Sequence, residues 1–340
     1  MLEKLTNAFG VSGAENDVRE IIKNEIEKLC DSVVTDSIGN LICFKKGTQG
    51  YHNSIMLTSH MDEVGFIVNG ITKEGYLRFK TVGGIDARVI ISKRVIVGKS
   101  RISGVIGAKP THLQDGKGGT ATKVKDLLID IGANDENDAK TKVKIGDYIC
   151  FDSEYVEFGN NLIKAKSLDD RIGCNILMKL AKERCNNDVY FVFTVQEEVG
   201  CRGATIATYS IKPNIAIVVE GTTCSNVPET DDHSFSTKLR GGAALSILDS
   251  GSYSDKDLIK ALYNTAKNNN INVQYKQTTL GGNDAASIHL SREGIRTAVI
   301  SVPCRYIHSP SSVASKDDIN SCYNILYKFL KETEGEEWNS

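Results

Sequence analysis

The chain has 340 residues, which suggests about two domains at ~150 residues each. Hydrophobic residues make up 40% and charged residues 25%, as in ordinary globular proteins, and a net charge of −2 argues against nucleic acid or an anionic membrane as partner. The 9 cysteines form no CxxC pair and read as free thiols; no signal peptide and no apolar run of ~20 residues is evident, so a cytoplasmic protein is expected.

Ser12 and Glu15 stand at the spacing of a capping box, in which each side chain satisfies a donor at a helix start. Val18, Ile21, Ile22, Ile26 and Leu29 then repeat at helical spacing, predicting an amphipathic helix. Strands are expected over 32–35 and 41–44, with Gly39 and Asn40 in the turn between them. Residues 54–59 form a further strand that runs into His60 and Asp62. On extended backbone those two side chains point the same way, which suits a metal-binding imidazole and the carboxylate that orients it. A lone His-x-Asp is more often a surface pair or a helix cap.

From Gly65 to about Lys164 the texture changes. Short β-rich runs (66–68, 76–79, 95–97, 105–106, 127–131, 148–151 and 156–158) alternate with glycines, and one short helix is expected at 136–141. This predicts a small all-β barrel or sandwich. The Gly-rich stretch LQDGKGGT at 113–120 reads as a mobile loop, and His112 beside it as structural or exposed.

Alternation of strands and helices resumes after Lys164. A turn at 165–171 leads into a helix over 172–183. The strand 188–195 ends in the adjacent carboxylates Glu197 and Glu198, with a helix near 204–209. The strand 215–219 ends in Glu220. Then come a helix at 256–268, a strand at 273–278, a loop GGND at 281–284 opening a helix, a strand at 298–302 leading to His308, and a helix at 316–333. The simplest arrangement is one mixed-sheet α/β domain, 1–65 and 164–340, interrupted by a β-rich insertion at 66–163.

Five candidate ligands stand at element ends: His60, Asp169, Glu198, Glu220 and His308. In open α/β sheets ligands bind beyond the carboxyl ends of strands. Two histidines and three carboxylates suit two divalent cations such as Zn²⁺, Co²⁺ or Mn²⁺, one carboxylate bridging and a water shared between the ions. Glu197, outside that set, can accept the proton of the water and return it to a leaving amine. The set describes a dinuclear metallohydrolase.

The stretches SHMDEVG at 59–65, SLDDRIG at 167–173, VQEEVG at 195–200, GGNDA at 281–285 and VPCRYIHSP at 302–310 carry a resemblance. Together, and in this order, they resemble the cytosolic dinuclear-metal aminopeptidases that form tetrahedral dodecamers, relatives of glutamyl and deblocking aminopeptidases, some formerly called endoglucanases. The resemblance implies a zinc-exopeptidase type of α/β domain with an inserted β-barrel that mediates dimerisation. It implies Asp169 as the bridge, with Asp170 its neighbour and no ligand. His60 and Glu220 would be terminal ligands, Glu198 and His308 would complete the set, Glu197 would be the general base, and Asp62 would stand behind His60. It also implies short peptides as substrates and a homo-oligomer built from dimers, in which the loop at 116–120 would reach a neighbouring subunit's site. Many relatives carry Asp where this chain has Glu220.

The GGND loop lacks the Lys-Ser/Thr of a phosphate-binding loop, so Gly282 and Asp284 are read as substrate-binding wall. His52, His233 and His289 are read as surface or helix residues, and Cys174, Cys201 and Cys304 as small core-like residues. The alternatives are a di-metal carboxypeptidase or deacylase, a glycosidase working through a carboxylate pair without metal, and a silent metal-binding protein.

Overall fold

A computed structural model describes residues 1–49, 53–110, 123–231 and 234–333. The strands are β1 (Ser32–Thr35), β2 (Leu41–Lys45), β3 (Ser54–His60), β4 (Gly65–Ile71), β5 (Leu77–Val82), β6 (Arg94–Val97), β7 (Ile102–Gly107), β8 (Leu128–Asp130), β9 (Tyr148–Phe151), β10 (Val156–Phe158), β11 (Leu162–Ala165), β12 (Asp188–Thr194), β13 (Ile215–Thr223), β14 (Ala243–Ser246), β15 (Val273–Tyr275), β16 (Arg296–Arg305) and β17 (Ser312–Ser315). The helices are α1 (Leu2–Asn7), α2 (Asn16–Ile26), α3 (Glu136–Lys142), α4 (Leu168–Leu180), α5 (Arg202–Ile211), α6 (Lys256–Asn268), α7 (Ala285–Ile288) and α8 (Lys316–Glu332).

A mixed eleven-stranded sheet runs in the order β1-β2-β12-β3-β13-β16-β17-β11-β10, with β14 and β15 branching from β16. Its centre, β12, β3, β13 and β16, is parallel. Parallel strands are covered on both faces, which is why these four read as nearly unbroken apolar runs. Side chains alternate between the faces. Ile55, Leu57, Phe191, Phe193, Ile217 and Val219 meet α1, α2, α4, α6 and α8 in the larger core. Met56, Val192, Ala216 and Val218 meet α5 and α7 in the smaller one. Each fully buried Leu, Ile or Phe contributes roughly 1.5–3 kcal/mol.

The expected β-rich unit is a closed antiparallel barrel, β4-β5-β8-β7-β6-β9. Phe66 fills it, edge-on to Phe79 and Phe151 with ring centroids 5.1 and 5.3 Å apart. The chain leaves the large sheet for the barrel after His60 and rejoins it at β10, whose partner β11 ends four residues before Asp169.

Several expectations change. Val156–Phe158, grouped by sequence with the β-rich stretch, pairs with β11 in the large sheet. The capping box does not form: Ser12 Oγ donates to Asp62 Oδ2 at 2.6 Å, while Glu15 Oε1 accepts from the Gly13 and Gln196 amides. Tertiary partners outbid the local pair because both side chains are buried. Strand β13 continues through Glu220 to Thr223, since β16 runs beside it residue for residue. Helix α4 starts at Leu168 and ends at Leu180, with Asp169 and Asp170 in non-helical conformation. The short elements α1, β11, β14 and β17 have no strong periodicity of their own and owe their form to neighbours. His52, His112, the 113–120 loop and His233 lie outside the described residues. No helix among the described residues is long and apolar enough to cross a membrane.

Candidate metal centre

The ends of β3, β12 and β16, the body of β13 and one turn bring the ligand candidates together. His60 closes β3, Glu197 and Glu198 follow β12, Glu220 lies in β13, and Asp169 sits at the start of α4. They share a cavity of about 420 Å³ with His308, Gly84, Thr222, Thr223, Lys276, Leu280, Gly282 and Ile307. Asp169 is central. Its Oδ1 is 3.4 Å from His60 Nε2 and its Oδ2 is 3.7 Å from His308 Nε2. His308 Nε2 is also 3.3 Å from Glu198 Oε1, and His60 Nε2 is 3.9 Å from Glu197 Oε2.

The neighbouring carboxylates are already committed. Asp170, joined to Asp169 by a cis peptide, accepts from Ser59 Oγ, the His60 amide at 3.2 Å and the Gly173 amide at 3.0 Å. Asp62 accepts from Ser12 Oγ and from the Glu197 and Glu198 amides at 3.0 and 3.1 Å. It therefore holds the backbone of both glutamates while lying 3.5 Å from His60 Nδ1. Burial raises the Asp62 carboxyl, but His60, Ser12 and the Glu197 amide outweigh it and leave the group below its ordinary range. His60 Nδ1 also faces the Asp62 carbonyl at 3.1 Å, an arrangement that turns the Nε2 lone pair into the cavity.

The corner between the N-terminal segment and α4 is pinned by buried charge. Lys166 Nζ donates to both Glu63 oxygens at 2.7 and 2.8 Å and to the Ala8 carbonyl. Arg171, fully buried, donates to the Leu5, Gly10 and Met61 carbonyls. Lys166 and Arg171 bracket Asp169 in sequence, so this network fixes the turn that presents it.

The donor set suits divalent cations. Burial first, and then repulsion from neighbouring carboxylates, raise three carboxyls above the ordinary range: Asp284, Asp62 and Asp169 act on Glu197, Glu197 and Asp169 on Glu198, and Asp169 and Asp170 on Glu220. Burial lowers the His60 ring, but Asp169 and Asp62 more than reverse this and raise it. Glu198 Oε1 is buried without a hydrogen-bond partner. Clustered, desolvated carboxylates facing two imidazole nitrogens call for positive charge, and one ligand atom each from Asp169, Glu198 and His308 lies within 4.8 Å of the others.

Of the expected substrate residues, Gly282 lines the cavity; Asp284 does not, being 1% exposed and held by Thr194 Oγ1 at 2.6 Å. His289 lies on helix α7's end, its Nδ1 facing the Ala285 carbonyl, away from the cavity. Sequence reasoning missed Gly84, Thr222, Thr223, Lys276, Leu280 and Ile307. Gly84 comes from the barrel, where a Cβ would stand 3.6 Å from His308 Nδ1. No local pattern marks these residues, because only the fold brings their segments to one wall.

Residues 39–325 match the M42 glutamyl aminopeptidase family. A putative aminopeptidase of Acetivibrio thermocellus is 42% identical over 334 residues, covering 97% of each chain. The solved structure of a TET aminopeptidase from a marine sediment archaeon of the Thaumarchaeota superposes with a TM-score of 0.95 at 34% identity, over 99% of this chain and 98% of that one. The TET1 peptidase of Pyrococcus horikoshii, which can assemble into a tetrahedron or a large octahedral shell, gives a TM-score of 0.87 at 33% identity, over 97% and 98%. The family match and the nearly complete overlap with these relatives show that the chain belongs to the M42 glutamyl aminopeptidase family.

Proposed function

We propose that this metal-dependent aminopeptidase holds two divalent ions, one by His60, Asp169 and Glu220 and the other by Asp169, Glu198 and His308. The observation that carries the reading is the division of Asp169, whose two oxygens face two different histidines. Such a pair, as Zn²⁺, Co²⁺ or Mn²⁺, supplies acidity to water and polarises a carbonyl. The chain's own residues do the rest. Glu197, desolvated and above its ordinary pKa range, accepts a proton beside His60 and delivers it to the departing amine. Asp62 keeps both the His60 ring and the Glu197 backbone in place. Glu220 receives a 3.3 Å hydrogen bond from Ser301 Oγ, which orients the longer carboxylate.

Lys276 is the only Lys or Arg among the described residues that line the cavity. It favours an acidic first residue over a basic one, in keeping with the family's description. Homo-oligomerisation accords with the TET relatives; a dodecamer built from dimers through the inserted barrel (66–163) extends that reading. The nine free cysteines support a reducing cytoplasm.

A mixture of peptides with free and acetylated N-termini, incubated with each metal or with chelator and read by mass spectrometry, tests the function. Stepwise loss from free N-termini, abolished by chelator, is expected. Loss from the C-terminus, or removal of acetyl groups alone, overturns it. Lys276→Glu is expected to lower kcat/KM for a peptide beginning with Glu about tenfold relative to one beginning with Leu, equivalent to ~1.4 kcal/mol.

A further inference from the structure

Behind Glu197 lie two further side chains of metal-binding type, Cys201 and Asp284, that the proposed mechanism does not use. Cys201 directly precedes α5, four residues after Glu197, and Asp284 directly precedes α7. One ligand atom each from Glu197, Cys201 and Asp284 lies within 4.8 Å of the other two. Glu197 faces two ways: Oε2 points to His60, while Oε1 is 3.7 Å from Cys201 Sγ. Asp284 is 1% exposed, and its Oδ1 has no hydrogen-bond partner. Its Oδ2 is held by Thr194 Oγ1 at 2.6 Å, so the carboxylate is set in place. An unpartnered carboxylate oxygen at such depth is costly unless a donor or a cation meets it.

Cys201 differs from the other thiols near the centre. Cys174 and Cys304 are fully buried, and Cys174 Sγ lies 3.2 Å from the His60 carbonyl. Cys201 is only partly buried and lies beside two carboxylates. One sulfur and two carboxylate oxygens are the donors of a borderline or soft ion, with water completing a tetrahedron. Bonds of ~2.3 Å to sulfur and ~2.1 Å to oxygen need the ligand atoms only about 1 Å closer than 4.8 Å.

We propose that Glu197, Cys201 and Asp284 form a separate site for a soft divalent ion, Zn²⁺ in excess or Cd²⁺, and that the ion holds Glu197 away from proton transfer. As the metal–sulfur bond forms, the thiol S–H breaks and its proton passes to solvent, with no change of oxidation state. The inhibitory consequence rests on the reading of Glu197 as base; the binding site does not.

The test is a Cd²⁺ titration of the protein carrying its resident metal, followed by thiolate-to-cadmium ultraviolet absorption and by peptide hydrolysis. The six residues assigned to the dinuclear centre and its base include no thiol, and because the chain has eight other free cysteines the share of Cys201 is read as the absorption lost in Cys201→Ser. The expected result is a band saturating at one ion per chain, with activity falling in parallel. Cys201→Ser should keep the basal activity, lose the band and need at least tenfold more Cd²⁺ for half-inhibition. Asp284→Asn should weaken the band's affinity. Absence of the band in the unaltered protein, or its survival in Cys201→Ser, overturns the site. A Cys201-dependent band without loss of activity overturns the inhibitory role. A Cys201-dependent band on a protein that cleaves no peptide under any metal leaves the site standing and rejects the aminopeptidase mechanism instead.

Discussion

Glu197 is held by a backbone hydrogen bond to Asp62 and lies close enough to His60 for a single proton to matter. Glu197→Gln preserves the shape of the side chain and removes its basicity. Turnover is expected to fall ~10²–10⁴-fold, while metal content measured by elemental analysis stays unchanged; full activity would remove Glu197 as the base. Its neighbour Asp62 accepts three hydrogen bonds while fully buried, an arrangement suited to positioning. Glu63 illustrates charge used for structure. Changing Glu63→Gln leaves Lys166 and Arg171 as buried cations without an anion. A loss of about 3–5 kcal/mol in denaturant unfolding is expected, and an unmoved midpoint would contradict the importance of the network.

Among the elements, α6 shows how a local signal and a tertiary contact combine. Asp255 caps it by accepting from the Asp257 and Leu258 amides, and also pairs with Arg296 at 2.9 Å at the start of β16. Burial raises the Asp255 carboxyl, but Arg296 and the two amides more than offset this, and its pKa is lowered. A carboxyl lowered by folding contributes stability above its unfolded pKa near 3.8, and that contribution is lost as pH falls through the folded value. Asp255→Ala is expected to cost ~1 kcal/mol at pH 7 through the cap. Asp255→Asn should keep most of the cap and show a shallower loss of stability below pH 4, as read from denaturant midpoints across pH. An identical pH dependence in Asp255→Asn and the unaltered protein would reject that assignment. The core strands β3, β12 and β13 follow directly from their apolar runs, whereas β14 and β17 are short and exist because β16 and β11 pair with them.

On the scale of the whole molecule, the barrel and the large sheet meet at the metal centre. The chain enters the barrel after His60 and leaves it between β9 and β10, and the barrel's Gly84 forms part of the cavity wall. Ions held there by His60, Asp169, Glu198, Glu220 and His308 would join segments far apart in sequence and would bind only the folded chain. At a metal concentration 100 times Kd such binding adds ~2.7 kcal/mol. Chelation is therefore expected to lower the thermal midpoint, and restoring Zn²⁺, Co²⁺ or Mn²⁺ to recover it; an unchanged midpoint would argue that no ion is held. Light scattering should give an integral multiple of the chain mass, and a monomer would refute the assembly.

Much of this protein was determined by residue order alone. Apolar runs of seven to ten residues specify β3, β12, β13 and β16, because a parallel strand must be apolar on both faces. Polar residues directly after such runs identify His60, Glu197 and Glu198 as candidates, because strand ends open onto a crevice. Tertiary structure alone decided how those candidates divide. It gave Asp170 to Ser59 and two backbone amides, turned Asp169 toward both histidines, and drew Ser12 from its expected cap to Asp62. It also assembled the cavity wall from Gly84, Thr223, Lys276 and Ile307, and set Cys201 and Asp284 behind Glu197. The physical reason is range. Periodicity and burial act along a few residues of chain, whereas a carboxylate's partners are chosen by whichever donors the packed sheet carries to it.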